Sequence, residues 1–175
     1  VERLNLPSNV SDLTGNLFYG EPSLFFGLPG QVDSFDVVIN ELLFDPPVNG
    51  YEYVELYNRS DKIAALDSLC LARNGPNNQP DELFRLSDRI RWFLPDQHLC
   101  FTNNAEWVKS NFICEAEDQL VELSKFPNFY SDGGVVFLTS LNGHVIDRFD
   151  SSPDYHFELL AETKGVALER ISYDA

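Results

Sequence analysis

Two glutamates, Glu41 and Glu55, sit inside apolar, strand-like runs of the stretch "DVVINELLFDPPVNGYEYVELYNRSDK", residues 36 to 62. Paired carboxylates do acid/base chemistry when their surroundings push their proton affinities apart, leaving one as acid and the other as base. That chemistry needs a concave site and side chains that position a substrate, and no motif in the sequence supplies them. The plainer expectation is a scaffold. Glu55 then faces water from a sheet with one wet side, while Asn40 and Glu41 bond nearby backbone or a strand-end turn. A second candidate is "DYHFE". In an extended chain Asp154, His156 and Glu158 would share one side, as a weak cation site requires, although a surface loop gives the same spacing. The third candidate is a tyrosine stripe, Tyr51, Tyr53 and Tyr57. Such a stripe stacks on sugar rings or a protein partner, or else fills cross-strand contacts within the sheet.

Other chemistries find little support. His98, His144 and His156 show no H-E-x-x-H or H-x-H spacing, so a zinc hydrolase is disfavoured. The serines around Ser140 and at Ser151-Ser152 lack the G-x-S-x-G elbow of a serine nucleophile. Gly133-Gly134 has neither the Lys-Ser/Thr pair nor the helix of a phosphate loop and reads as a turn into a strand. "PNNQPDE", residues 76 to 82, is an acidic, amide-rich loop suited at most to weak calcium binding. Asn9 and Asn58 fit the N-glycosylation pattern, which matters only in a eukaryotic secretory route. Cys70, Cys100 and Cys114 are odd in number and lack C-x-x-C spacing, which allows at most one internal disulfide and favours no metal cluster. No catalytic residue, metal ligand or cofactor follows from these motifs.

The chain has 175 residues, enough for one domain with a sizeable core. Its 14 Phe and 43% apolar content are globular rather than disordered. Net charge is −16, a field that repels phosphate backbones and disfavours nucleic acid as a direct partner. No apolar run reaches the roughly 20 residues of a membrane helix. The opening "VERLNLPSNV", without Met or a basic-then-apolar leader, is expected to be cut from something longer.

The elements that must position these candidates follow a period of two. Short runs of Val, Ile, Leu, Phe and Tyr, broken by Pro, Gly, Asn and Asp, predict strands at 37–44, 51–57, 68–73, 83–87, 98–102, 119–124, 135–140, 144–149 and 166–171. Asn49-Gly50 and Asn142-Gly143 supply tight reversals. "NNAEWVKSNF" predicts one short helix capped by Asn104. Nine strands and one helix predict an all-β Greek-key sandwich. Residues 1–35, rich in Gly and Pro, read as a linker or as the end of a preceding module, and the sandwich as 36–175.

Three blocks carry a resemblance. "DVVINELLFDP", "GYEYVELYNRSDK" and "KGVALERIS" occur in that order, with "HFELL" ahead of the last. Together they resemble the lamin tail domain as found in secreted bacterial proteins, over residues 36 to 172. The resemblance implies an immunoglobulin-like β-sandwich without catalytic machinery, placed in a larger exported protein at the cell surface or envelope. It further implies a role as spacer or interaction module, with neighbouring domains, a cell-surface protein or a polysaccharide as partners. "NVSDLTGN" resembles a segment near the end of bacterial surface-layer-type Ig-like domains, with "SLFFG" as that module's final strand. The rival readings are a metal-assisted hydrolase using acids and His156, and a carbohydrate-binding module using the tyrosine stripe.

Overall fold

The computed structural model describes residues 2–5, 10–19, 23–114 and 116–173. Its strands are β1 (Glu2–Asn5), β2 (Ser23–Phe26), β3 (Val37–Leu43), β4 (Tyr53–Asn58), β5 (Ala64–Ala65), β6 (Leu69–Asn74) and β7 (Pro80–Arg85). There follow β8 (Trp92–Phe93), β9 (His98–Thr102), β10 (Leu120–Glu122), β11 (Gly134–Ser140), β12 (Val145–Ser151) and β13 (Leu168–Glu169). Each of the nine predicted runs overlaps a strand. The two-residue strands β5 and β8 were not expected, because two residues are too few to display an alternation.

The turn chemistry explains where the strands stop. Asn49 takes a left-handed φ of 65°, and the Gly50 amide donates to the Pro47 carbonyl at 2.7 Å, reversing the chain between β3 and β4. Gly143 (φ 77°) does the same between β11 and β12. The helix α1 (Ala105–Asn111) begins where the Asn104 side chain accepts from the Trp107 amide at 2.9 Å, as expected of a cap.

The strands build two facing sheets. One has five strands in the order β10-β9-β4-β3-β13 and the other four, β12-β11-β6-β7. The connections β4 to β6, β7 to β9, β10 to β11 and β12 to β13 each cross between sheets, while β3-β4, β6-β7 and β11-β12 are hairpins. The neighbours β3-β4-β9 and β7-β6-β11-β12 reproduce the A-B-E and C′-C-F-G order of an immunoglobulin-type Greek key. β10 departs from it by running parallel to β9. The fold is an all-β sandwich.

Alternation sorts the side chains. Ile39, Leu42, Val54, Leu56, Leu99 and Phe101 point inward to meet Leu69, Leu71, Val136, Leu138 and Ile146 of the other sheet. Each fully buried leucine contributes roughly 1.5–3 kcal/mol of transfer energy to this core. The same alternation turns Tyr53, Glu55 and Tyr57 to the outer face, as predicted.

Ahead of the sandwich, among the described residues, β1 and β2 pair only with each other. "SLFFG" supplies β2, and Asp12 organises the turn between by accepting from Thr14 and Asn16. Those hydrogen bonds hold its carboxyl well below the usual range. Among the described residues, hydrogen bonding to the sandwich begins at Gly30, whose amide donates to the Ile63 carbonyl, a few residues before the expected boundary at 36. Among the described residues no helix is long and apolar enough to cross a membrane.

Candidate functional site

The outer face of the five-stranded sheet gathers the first candidates. Cross-strand register sets Glu169 opposite Glu41, Glu41 opposite Glu55, Glu55 opposite Cys100, and Cys100 beside Leu120. One side-chain row thus crosses all five strands. It forms the floor of a cleft of about 600 Å³, walled by Phe112 and Cys114 after α1 and by His98 and Tyr173. Like charges directly opposite one another destabilise a sheet. The fold answers with internal donors. The Tyr53 hydroxyl donates to Glu41 at 2.5 Å, and the Asn40 amide donates to Glu55 at 2.8 Å.

Burial is the main reason the Glu41 carboxyl lies above its ordinary range, and the charges of Glu55 and Glu169 push it further. Burial and Glu41 together drive the Tyr53 phenol far up, so it stays a proton donor. The Cys100 thiol is raised in the same way, by burial first and then by Glu55, Glu41 and Cys114. A thiol held protonated is a poor nucleophile. All three cysteines are free.

Beneath the row lies a feature that single-strand patterns do not reveal. β3 carries a bulge between Ile39 and Glu41, and β11-β12 shifts register where Leu138 faces Asp147 and Thr139 faces Val145. An extra residue flips the alternation and leaves ladder groups unpaired. In β12 the flip turns Asp147 inward after Ile146, and its carboxylate accepts from the Ile39 amide at 2.7 Å. Arg170, after β13, supplies the rest. Its Nε donates to the Ile39 carbonyl at 2.9 Å, its Nη2 to Asp147 at 2.7 Å, and its backbone amide to the Asn40 carbonyl at 2.7 Å. The Asp147 side chain is fully buried and that of Arg170 is 8% exposed. Both the amide and the carbonyl of Ile39 thus find a side-chain partner at the bulge, as a buried backbone requires.

The remaining candidates separate. Glu55 does not stand in water as expected. It is half-buried in the cleft, because α1 and the C-terminal segment cover that face. Asp154, His156 and Glu158 do not share one side. Residues 153–155 form a 3-10 turn, so the extended chain their alternation needs is absent, and His156 stacks on Phe44 with centroids 6.1 Å apart. The tyrosines do not form a coplanar row. Tyr51 tilts against Trp107, Tyr53 meets Phe112 edge-on at 5.2 Å, and Tyr57 stacks on both His98 and Tyr173, which also touch each other. Asn58 is fully buried and donates to the Lys62 and Phe93 carbonyls, which leaves no room for a glycan; Asn9 lies outside the described residues. In the 76–82 loop Glu82 pairs with Arg73 at 3.3 Å. Among the described residues, no group of three or more His, Cys, Asp or Glu side chains is placed to hold a metal ion.

Comparison of the whole sequence with protein-family models and with curated proteins returns no match.

Proposed function

We propose that this chain is a non-catalytic interaction and spacer module of a larger exported bacterial cell-surface protein. One observation supports the reading above the others. The blocks that resemble the lamin tail domain, about 130 residues apart at Ile39 and Arg170, fold into three adjacent strands, β13-β3-β4, joined by the Asp147–Arg170 clasp. "INE" supplies the bulge, "YVELY" its hydrogen-bonding neighbour, and "LER" the arginine that closes it. Residues that look conspicuous in the sequence therefore have structural work to do, and Glu41 and Glu55 take their partners from within that work.

The mechanism is presentation. A rigid two-sheet body holds loops and sheet edges where a neighbouring domain, surface protein or surface polymer meets them. The test assays the purified chain against ester, glycoside, peptide and phosphodiester substrates, with and without divalent metals. In parallel, residues 36–175 are deleted from the parent protein. We expect no turnover in the first arm and a loss of envelope retention in the second, with the parent's other activities unchanged. Turnover that disappears in Glu41→Gln or Glu55→Gln would overturn the reading.

A further inference from the structure

The sandwich has an open side where the edge strand β7 of one sheet and the edge strand β10 of the other lie across from each other. Between them runs a groove of about 930 Å³, lined by residues 83–91 and 121–125. Four of the chain's 12 Lys and Arg line it, namely Arg85, Arg89, Arg91 and Lys125. Such a concentration is unexpected in a chain of net charge −16. Cations on this protein usually find a carboxylate: Lys62 pairs with Asp33 and Asp36, Lys109 with Glu117, Arg148 with Asp150, Lys164 with Asp45, and Arg170 with Asp147. The four groove cations pair with none among the described residues, and Arg91 donates only to the Asp118 carbonyl, at 3.2 Å. Two acids share the lining. Glu122 is turned away to accept from the Ala105 amide at the start of α1, and Asp88 stands exposed.

The backbone adds a second set of donors. The Leu86 amide bonds the Leu69 carbonyl, and β7 pairs with β6 through Cys70–Arg85 and Ala72–Leu83. In an antiparallel ladder hydrogen bonds alternate in direction, so Leu83 and Arg85 present their peptide groups away from β6, at the free edge. An exposed edge of this kind accepts an added strand. At its other end β7 is blunted by Pro80, Asp81 and the left-handed Glu82 (φ 50°), which confines a visitor to the cationic end. Ile90 (76% exposed) and Leu83 (39%) offer apolar contact alongside.

We propose that this groove binds an acidic peptide segment in extended form. Its carboxylates meet Arg85, Arg89, Arg91 and Lys125, and its backbone adds to the edge of β7. A peptide fits better than a long polyanion. Charge is screened over about 8 Å at physiological salt, so a short segment feels mainly the groove, while a polymer running beyond it meets the acidic remainder of the surface.

The proposal goes beyond the module reading, which stands whichever way this test falls. A fluorescein-labelled peptide of alternating glutamate and valine is titrated with the full chain, using fluorescence anisotropy. A lysine–valine peptide is the control, and a polyuronate and a single-stranded oligonucleotide serve as competitors. We expect saturable, salt-sensitive binding of the acidic peptide. We expect roughly a tenfold loss in the Arg85→Gln/Arg89→Gln double variant and a similar loss in Lys125→Gln/Arg91→Gln. Arg148→Gln, whose guanidinium already pairs with Asp150, should bind as the wild type does. Equal binding of the two peptides, or unchanged affinity in both double variants, would overturn the proposal. So would a polyuronate or oligonucleotide that outcompetes the peptide at equal charge.

Discussion

The acidic cleft over β3-β4-β9 and the basic groove between β7 and β10 are both open and strongly charged, but they differ in where their charges find partners. In the cleft Glu41 is bonded by Tyr53 and Glu55 by Asn40, with the Arg170–Asp147 clasp beneath. In the groove four cations share a lining and none pairs with a carboxylate among the described residues. Charge that is satisfied from within serves the fold, since an unpaired buried group is costly. Charge left unpaired at a surface costs the fold little and remains available to something else. The conspicuous carboxylates are thus bonded from within the sheet, and the less conspicuous arginines form the better candidate for contact.

The largest effect should come from the clasp. Arg170→Ala leaves Asp147 buried without its cation and should cost about 3–5 kcal/mol, measured by urea denaturation. A loss below about 1 kcal/mol would mean that the region under the cleft is no more self-supporting than the groove. Next comes Tyr53→Phe, which strips Glu41 of its donor and should cost about 1–2 kcal/mol. Were it neutral, Glu41 would have to be counted among the available charges.

A pH series gives a further contrast. Burial raises the Glu52 carboxyl to about 7, against the opposing hydrogen bond from the Phe129 amide at 2.9 Å. Burial likewise raises Glu41, and also Asp147 despite the opposing Ile39 amide and Arg170. A carboxyl raised by folding binds its proton more tightly in the native state. The stability it contributes should therefore be fully present below the unfolded value near 4.5 and be lost as pH rises through about 7. For Glu52 the change is on the order of 1 kcal/mol, allowing for screening of a half-buried group. Glu52→Gln mimics the protonated side chain, so thermal melts of wild type and variant should agree at low pH. Above pH 7 the variant should be the more stable of the two. A difference between them that does not change with pH would contradict the assignment. The smallest effect belongs to the groove, where Arg85→Gln/Arg89→Gln should move stability by less than about 0.5 kcal/mol, read by the same denaturation. A larger loss there would make those arginines structural.

Much of the sandwich was legible because alternation is a local signal. Tyr53 and Tyr57 share a face with Glu55, and Asn104 caps its helix, each read from residues within one turn or strand. The clasp was not legible for the opposite reason. "VIDRFD" read as plain alternation turns Ile146 in and Asp147 out, and only the register shift against β11 brings both inward. Cover of the outer face was missed too. Nothing local to Glu55 reports that Phe112, in a segment over 50 residues later, closes over the same cleft. In "DYHFE" the same spacing fits an extended chain or a surface loop, and only the 3-10 turn that begins at Pro153 decides against the extended chain. The groove joins residues 83–91 with 121–125, and no single stretch contains enough of it to be noticed.

The bond from Arg170 to the Ile39 carbonyl spans 131 residues of chain. During synthesis the β3-β4 hairpin is complete long before that arginine exists, and for the whole interval the Ile39 carbonyl lacks the side-chain donor it has in the finished fold. Closing so long a loop is slow, because its entropy must be lost before any contact compensates it. The molecule is thus a purse whose drawstring is threaded last: a chain stopped short of residue 170 holds nearly every strand but cannot be pulled shut.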